Sequence, residues 1–338
     1  VKLGNSTRNQ HFLSQSEQRL NAINPAASQS KQKMYCFEVL DREKFIVRPF
    51  EKKTVKIENT LSIDDLYSFQ VEDKVMRHNF EELFKKYETQ ISAATKRLER
   101  FATSYPEGIT QEDYKSLSND LLYILITKQY NSFRNPYNIK KTLRILQQSE
   151  SLWPLDGRMF EICLRIISGN RPHQQHICNQ LGISSDDYWK WLKGLFFISI
   201  DMGGDEPNLF DGMIKEYFKE PKFLCNFEIY FYDDKSTKGQ VLLPDTGAIV
   251  PSLHFPAWVR HGFNLSANAF LYVGFTHISQ LTSDQNEING FDNKGRRQIR
   301  LIKNEISALH TYNRQCVAQA RQYVYCASPQ PLGIEILG

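Results

Sequence analysis

An imidazole that titrates near neutrality can act as a general base, and a carboxylate can orient it or hold a divalent metal such as Mg²⁺. His11 and Asp245 are the candidate pair for a hydrolytic site of this kind, with Gln10 beside the imidazole and Glu38 or His78 as further contributors. In a nuclease such groups activate water while arginines grip the phosphate, a part that Arg8 or Arg48 could take. A second basic set, Lys294, Arg296, Arg297 and Arg300, is the densest in the chain and the other candidate for nucleic-acid contact. Each of these residues also has a plain structural role. His11 can cap a strand, Asp245 after Pro244 is an ordinary turn residue, and a basic loop is usually a solvated face.

Recognised catalytic patterns are missing. Pro244-Asp245 resembles the start of a restriction-type carboxylate motif, yet no Glu-x-Lys follows at the expected interval. His173 and His176 lie one helical turn apart without a partnering glutamate, and Pro172 directly precedes them, which favours a surface pair over a metal site. Gly203-Gly204 lacks the Lys-Ser/Thr of a phosphate loop, and no serine sits in a Gly-x-Ser-x-Gly elbow. Six cysteines at 36, 163, 178, 225, 316 and 326 form no Cys-x-x-Cys pair and read as reduced core residues.

The elements that must position these groups follow from the apolar pattern. Phe223 to Phe275 holds three apolar, aromatic-rich runs around the Pro244-Asp245 turn, and it carries His254, His261, Asn264 and Ser266. Met34–Leu40 and Phe45–Phe50 flank a polar tetrapeptide as a hairpin would, Thr54–Leu61 adds a third strand, and Asp64–Val71 enters a helix. Ser14 and Glu17 have the spacing of a capping box. Between Met76 and Phe101, apolar residues recur every three or four positions, the signature of an amphipathic helix. Further helices are expected around Leu117–Tyr130, Asn138–Gln147, Arg158–Ser168 and Phe210–Phe218, and a closing one over Ile299–Tyr325. His173–Phe197 has the cadence of a helix-turn-helix, but its second helix opens on Asp186-Asp187, which repel phosphate, so a helical hairpin packing its tryptophans inward is favoured.

With 338 residues, 41% hydrophobic and 24% charged, the chain has the composition of one large or two ordinary globular domains. A net charge of +4 is too mild to argue for nucleic acid by itself. No apolar run is long enough to span a bilayer and the first residues lack a signal-peptide core, so a cytoplasmic protein without membrane partners is expected.

Three landmarks, Gln10-His11-Phe12-Leu13, LLPDTGAIVP followed by FNLSANAFLYVGF, and YNRQCVAQARQYVYC, occur in an order and spacing that resemble a widespread prokaryotic domain-of-unknown-function family. Its members open on a Gln-His-Tyr-Val-Pro-like segment and carry a late Thr-Ser-Asp-Asn-Pro-like turn. The resemblance spans about residues 8 to 327 and puts the family's His on His11, its aspartate on Asp245, and its Leu-Ser on Leu265-Ser266. The family's Asn falls on Asn313 and its Ala-Arg on Ala320-Arg321, while Ser14 and Thr246 depart from its pattern. Many such proteins look like parts of prokaryotic mobile-element or anti-phage cassettes, and the resemblance implies such a setting here.

These readings combine into an α+β protein with a central antiparallel or mixed sheet, from residues 34–60 and 223–275, wrapped by helices. Its expected parts are 1–109 (hairpin plus long helix), a mostly helical subdomain at 110–220, and 221–338 (strands and closing helix). The leading functional expectation is a defence effector that hydrolyses nucleic acid. The alternatives are a non-catalytic subunit that binds a protein encoded nearby, and a helix-turn-helix DNA binder.

Overall fold

The computed structural model describes the chain except residues 1–4, 6, 71–76, 105–110, 147–156, 169–170, 201–207, 221, 252–258, 278–296 and 338. In chain order the strands are β1 (Asn9–His11), β2 (Lys33–Asp41), β3 (Ile46–Lys56), β4 (Ser62–Asp64), β5 (Phe69–Gln70), β6 (Arg77–His78), β7 (Phe223–Phe231), β8 (Leu243–Pro244), β9 (Val259–Ser266), β10 (Ala269–His277), β11 (Arg297–Lys303), β12 (Tyr323–Cys326) and β13 (Glu335–Ile336). The α-helices are α1 (Gln15–Arg19), α2 (Glu81–Ser104), α3 (Gln111–Arg134), α4 (Ile139–Leu146), α5 (Gly157–Ser168), α6 (Gln174–Leu181), α7 (Ser185–Ser199), α8 (Leu209–Lys219) and α9 (Ile306–Gln319). The class is α+β, with helices accompanying mixed and antiparallel sheets.

Two compact units emerge, each assembled from several segments. The first comprises Val1–Ser14, Leu61–Thr89 and Gln129–Ile214; the second comprises Gln15–Thr60, Gln90–Lys128 and Lys215–Gly338.

The first unit is mainly helical, with two small antiparallel pairs, β1–β4 and β5–β6. Its core is aromatic. Tyr87 stacks on Tyr130 at 4.1 Å between centroids, and Phe84 meets both Tyr67 and Tyr130 edge-on. Polar edges of these rings find buried partners, as they must away from water. Trp191 Nε1 donates to the Phe133 carbonyl (2.8 Å), Tyr188 Oη donates to the Leu66 carbonyl (2.7 Å), and Tyr87 Oη donates to Asp211 (2.9 Å). On α7, every residue from Trp191 to Ser199 is buried. From Trp191 onward this helix packs into the core, as the hairpin reading of 173–197 expects, while Trp189 is half-buried and Ser185 and Asp186 at its start are exposed. Residues 64–70 of the stretch expected to enter a helix instead end β4 and enter β5, with Gln10 accepting the Tyr67 N–H where a helical bond would have formed; Val71 lies outside the described residues.

The second unit contains a five-stranded sheet ordered β13-β3-β2-β12-β8 and a four-stranded sheet ordered β11-β7-β10-β9. The hairpin around residues 41–44 is present, and the Asp41 carboxylate accepts the N–H groups of Glu43 and Lys44 at 2.9 Å each to close its turn. No third strand follows it; β3 runs on to Lys56 and Ile57–Asn59 forms a 3-10 turn. Among the described residues, the stretches 34–60 and 223–275 thus build two sheets rather than one, with β8 carrying the second stretch into the first sheet. Residues 299–303, expected to open the closing helix, lie in β11, parallel to β7. The helix proper is α9, whose Tyr312 stacks on Phe270 at 4.1 Å within a core that also holds Phe37, Val47, Leu309, Val317 and Val324.

Candidate functional site

The Gln10-His11-Phe12 segment sits in the first unit and is bonded to its surroundings from both backbone and side chain. Gln10 is fully buried; its Nε2 donates to Ser68 Oγ (2.7 Å) and to the Thr7 carbonyl (3.1 Å). His11 pairs with Ser62 across β1–β4 and is 9% exposed. The Phe12 carbonyl accepts from Nε of Arg134 (3.2 Å), a fully buried arginine at the end of α3.

Arg134 is the centre of a polar cluster that the sequence does not flag. Its Nη2 lies 2.7 Å from Glu88 Oε1, its guanidinium faces the Phe84 ring at 4.7 Å, and its carbonyl accepts from Tyr67 Oη (2.7 Å). Arg134 Nη1 and Glu81 Oε1 are buried without a hydrogen-bond partner among the described residues. Burial pushes the Glu81 carboxyl up to about 7, against the pull of Arg134 and with repulsion from Glu88 and Glu82 added. This is a cation beside two carboxyl groups, of which Glu81 can take up or release a proton near neutrality. One signal could have marked it: Glu81, Phe84 and Glu88 share a face of α2, so both acids stand on the helix's apolar stripe.

Asp245 belongs to the second unit, whereas Gln10 and His11 belong to the first. Its carboxylate is buried and occupied. Oδ1 accepts the Arg321 N–H (2.7 Å), and Oδ2 accepts those of Gln322 (2.7 Å) and Tyr323 (2.9 Å). These donors lie where the chain leaves α9 and enters β12, so the side chain clamps that corner. Burial pushes its carboxyl above the usual range, with the backbone donors pulling it back down. Asn313 has a similar office: Oδ1 accepts the Leu242 N–H (3.0 Å), and Nδ2 donates to the carbonyls of Gln240 and Leu332 (2.9 Å each).

Other polar residues of this unit are likewise engaged in packing. Asn264 bonds Asn21 (2.9 Å), Ser266 donates to Glu99, and the buried Lys128 is ion-paired with the buried Glu17. His261 is held neutral, its imidazole lowered to about 4 by burial. His78, in the first unit, stacks on Phe69. His254, Lys294 and Arg296 lie outside the described residues. Arg48 pairs with Glu38 (2.6 Å), Arg300 pairs with Glu228 (2.9 Å), and Arg297 donates to Ser118 (2.9 Å) with its guanidinium 4.1 Å from the centre of the Phe218 ring. Arg8 is exposed. All six cysteines are free and buried.

Among the described residues, no group of three or more His, Cys, Asp or Glu side chains could hold a metal ion, and no helix is long and apolar enough to cross a membrane. No protein-family model, curated protein or solved structure matches the chain.

Proposed function

We propose that the chain is a non-catalytic, partner-binding component of a prokaryotic anti-phage cassette, acting in the cytoplasm on a protein encoded nearby. The defence setting rests on the family resemblance of the three landmarks. The mode of action rests on one observation in the first unit. Phe160 and Leu164 on α5 are 39% and 42% exposed, and Leu209 and Met213 on α8 are 43% and 40% exposed. Both pairs have i,i+4 spacing, so each forms an apolar strip along its helix. Large apolar side chains repeated on one helical face are the usual anchors for a partner's groove or helix.

Phosphodiester hydrolysis through His11, Asp245 and Gln10, with a divalent metal, is the competing proposal. It has less support, because the Asp245 oxygens carry three backbone donors and two of the expected phosphate-gripping arginines are paired with carboxylates. The experiment that separates the two is coexpression with the products of flanking genes, using Phe160→Asp/Leu164→Asp and Leu209→Asp/Met213→Asp variants. A stoichiometric complex that these changes dissolve without lowering Tm supports partner binding. Metal-dependent cleavage of DNA or RNA that His11→Ala removes, with no complex formed, supports hydrolysis instead.

A further inference from the structure

We infer that the outer face of α4, in the first unit, docks an acidic amphipathic helix of a protein partner, one that sets an apolar residue between carboxylates. This contact rests on the partner-binding reading above and lies on a different helix from the α5 and α8 strips. On α4 the buried and the basic residues fall on opposite sides. Ile139 and Thr142 are buried, and Leu146 lies against Gly194 of α7. Lys140, Lys141 and Arg144 are exposed on the other side. Ile145 beside them is 61% exposed, the highest figure for a large apolar side chain among the described residues. The spacing 140, 141, 144, 145 puts all four on one face, within about 8 Å of helix length.

The cations set the sign of the partner. Among the described residues, the side chains of Lys140, Lys141 and Arg144 form no ion pair or hydrogen bond. Lys140 and Lys141 stand in the first turn of α4, which holds no acidic residue, so they face the positive end of the helix dipole instead of complementing it. An anionic partner relieves both that clash and the mutual repulsion of the three charges. Ile145 decides which anion. A branched aliphatic side chain gains nothing from a phosphate backbone, and the face offers no ring for a base to stack on. Tyr137, just before the helix, packs edge-on against Phe12 at 5.4 Å. A protein helix carrying a leucine-like residue with glutamates or aspartates one turn to either side meets both demands.

Titration of the full chain with a helical peptide of about 15 residues, built from Glu, Leu and Ala, tests the face. A counterpart with Lys for Glu, a DNA duplex and a single-stranded RNA are the competing probes. The acidic peptide is expected to bind at low salt and its basic counterpart not to bind. Lys140→Glu/Arg144→Glu should weaken the acidic peptide about tenfold or more, with Tm unchanged or slightly raised because the new charges suit the helix dipole better. Ile145→Ser should weaken it about fivefold. The same charge change at two exposed lysines of the second unit, Lys33→Glu/Lys44→Glu, should alter it by less than about twofold. No binding, an equal loss from the Lys33 and Lys44 changes, indifference to Ile145→Ser, or preference for DNA or RNA would each overturn the face. A coexpressed complex that keeps its affinity with Lys140→Glu/Arg144→Glu would overturn it too, while leaving the α5 and α8 strips standing. Absence of any complex would fail the partner-binding reading itself, and the peptide titration then decides the α4 face alone.

Discussion

Replacing Asp245 separates a clamp from a catalyst. Its carboxylate receives three N–H donors from consecutive residues, at 2.7, 2.7 and 2.9 Å. A hydrogen bond to a charged group contributes about 1.5–3 kcal/mol, but Arg321 and Gln322 are exposed, so water can take over part of the loss. Asp245→Ala should then cost about 3 kcal/mol in net stability. For a unit of this size that lowers Tm by roughly 6–12 °C. Asp245→Asn keeps one acceptor oxygen but turns an NH₂ toward a backbone donor, so it should cost about 2 kcal/mol. Thermal melts followed by circular dichroism give the numbers directly. The reasoning is refuted if both variants melt with the wild type, and more sharply if either loses an activity while Tm stays put.

Glu81 provides a pH test. Its folded carboxyl sits near 7, above the ordinary 4.5, so the native state favours the neutral form. Stability from this group is full below pH 4.5 and falls as pH rises toward 7, by about 3 kcal/mol at most. Glu81→Gln should therefore gain on the wild type between pH 4 and pH 8 in urea melts; a constant difference would contradict the shift. Lys128→Met removes the ammonium paired with the buried Glu17 carboxyl, at a cost of about 3–5 kcal/mol, and adding Glu17→Leu should recover most of it. Arg48→Ala and Arg300→Ala should change stability by less than about 1 kcal/mol. If those arginines serve their carboxylates, neither change will alter retention of DNA or RNA at low salt; a uniform fall in affinity would return them to the phosphate role.

What the sequence made legible was local. The α2 stripe reads directly, because Phe84, Tyr87, Ile91, Ala94 and Leu98 recur at helical spacing and are all buried. The 41–44 turn reads for a similar reason, as Asp41 closes it with its own side chain. Long-range pairing is what local pattern omits. β12 joins β2 through Tyr323↔Glu38, a partnership no window of sequence contains, and it helps split the expected single sheet into two. The residues 299–303 misled because Ile299 and Ile302 also suit a helix face; parallel pairing with β7 decides them. At the candidate site, Gln10 stood out for lying beside an imidazole and Asp245 for its place in an apolar stretch, yet their roles depend on partners far along the chain. Arg134 was invisible for the opposite reason: an arginine closing a helix is ordinary until its burial is known.

Partner binding through the exposed strips of α5 and α8 is tested most directly by light scattering on the chain coexpressed with the products of its flanking genes. A defined complex is expected, which Phe160→Asp/Leu164→Asp or Leu209→Asp/Met213→Asp converts to free chain of unchanged Tm. A complex indifferent to all four substitutions would contradict it.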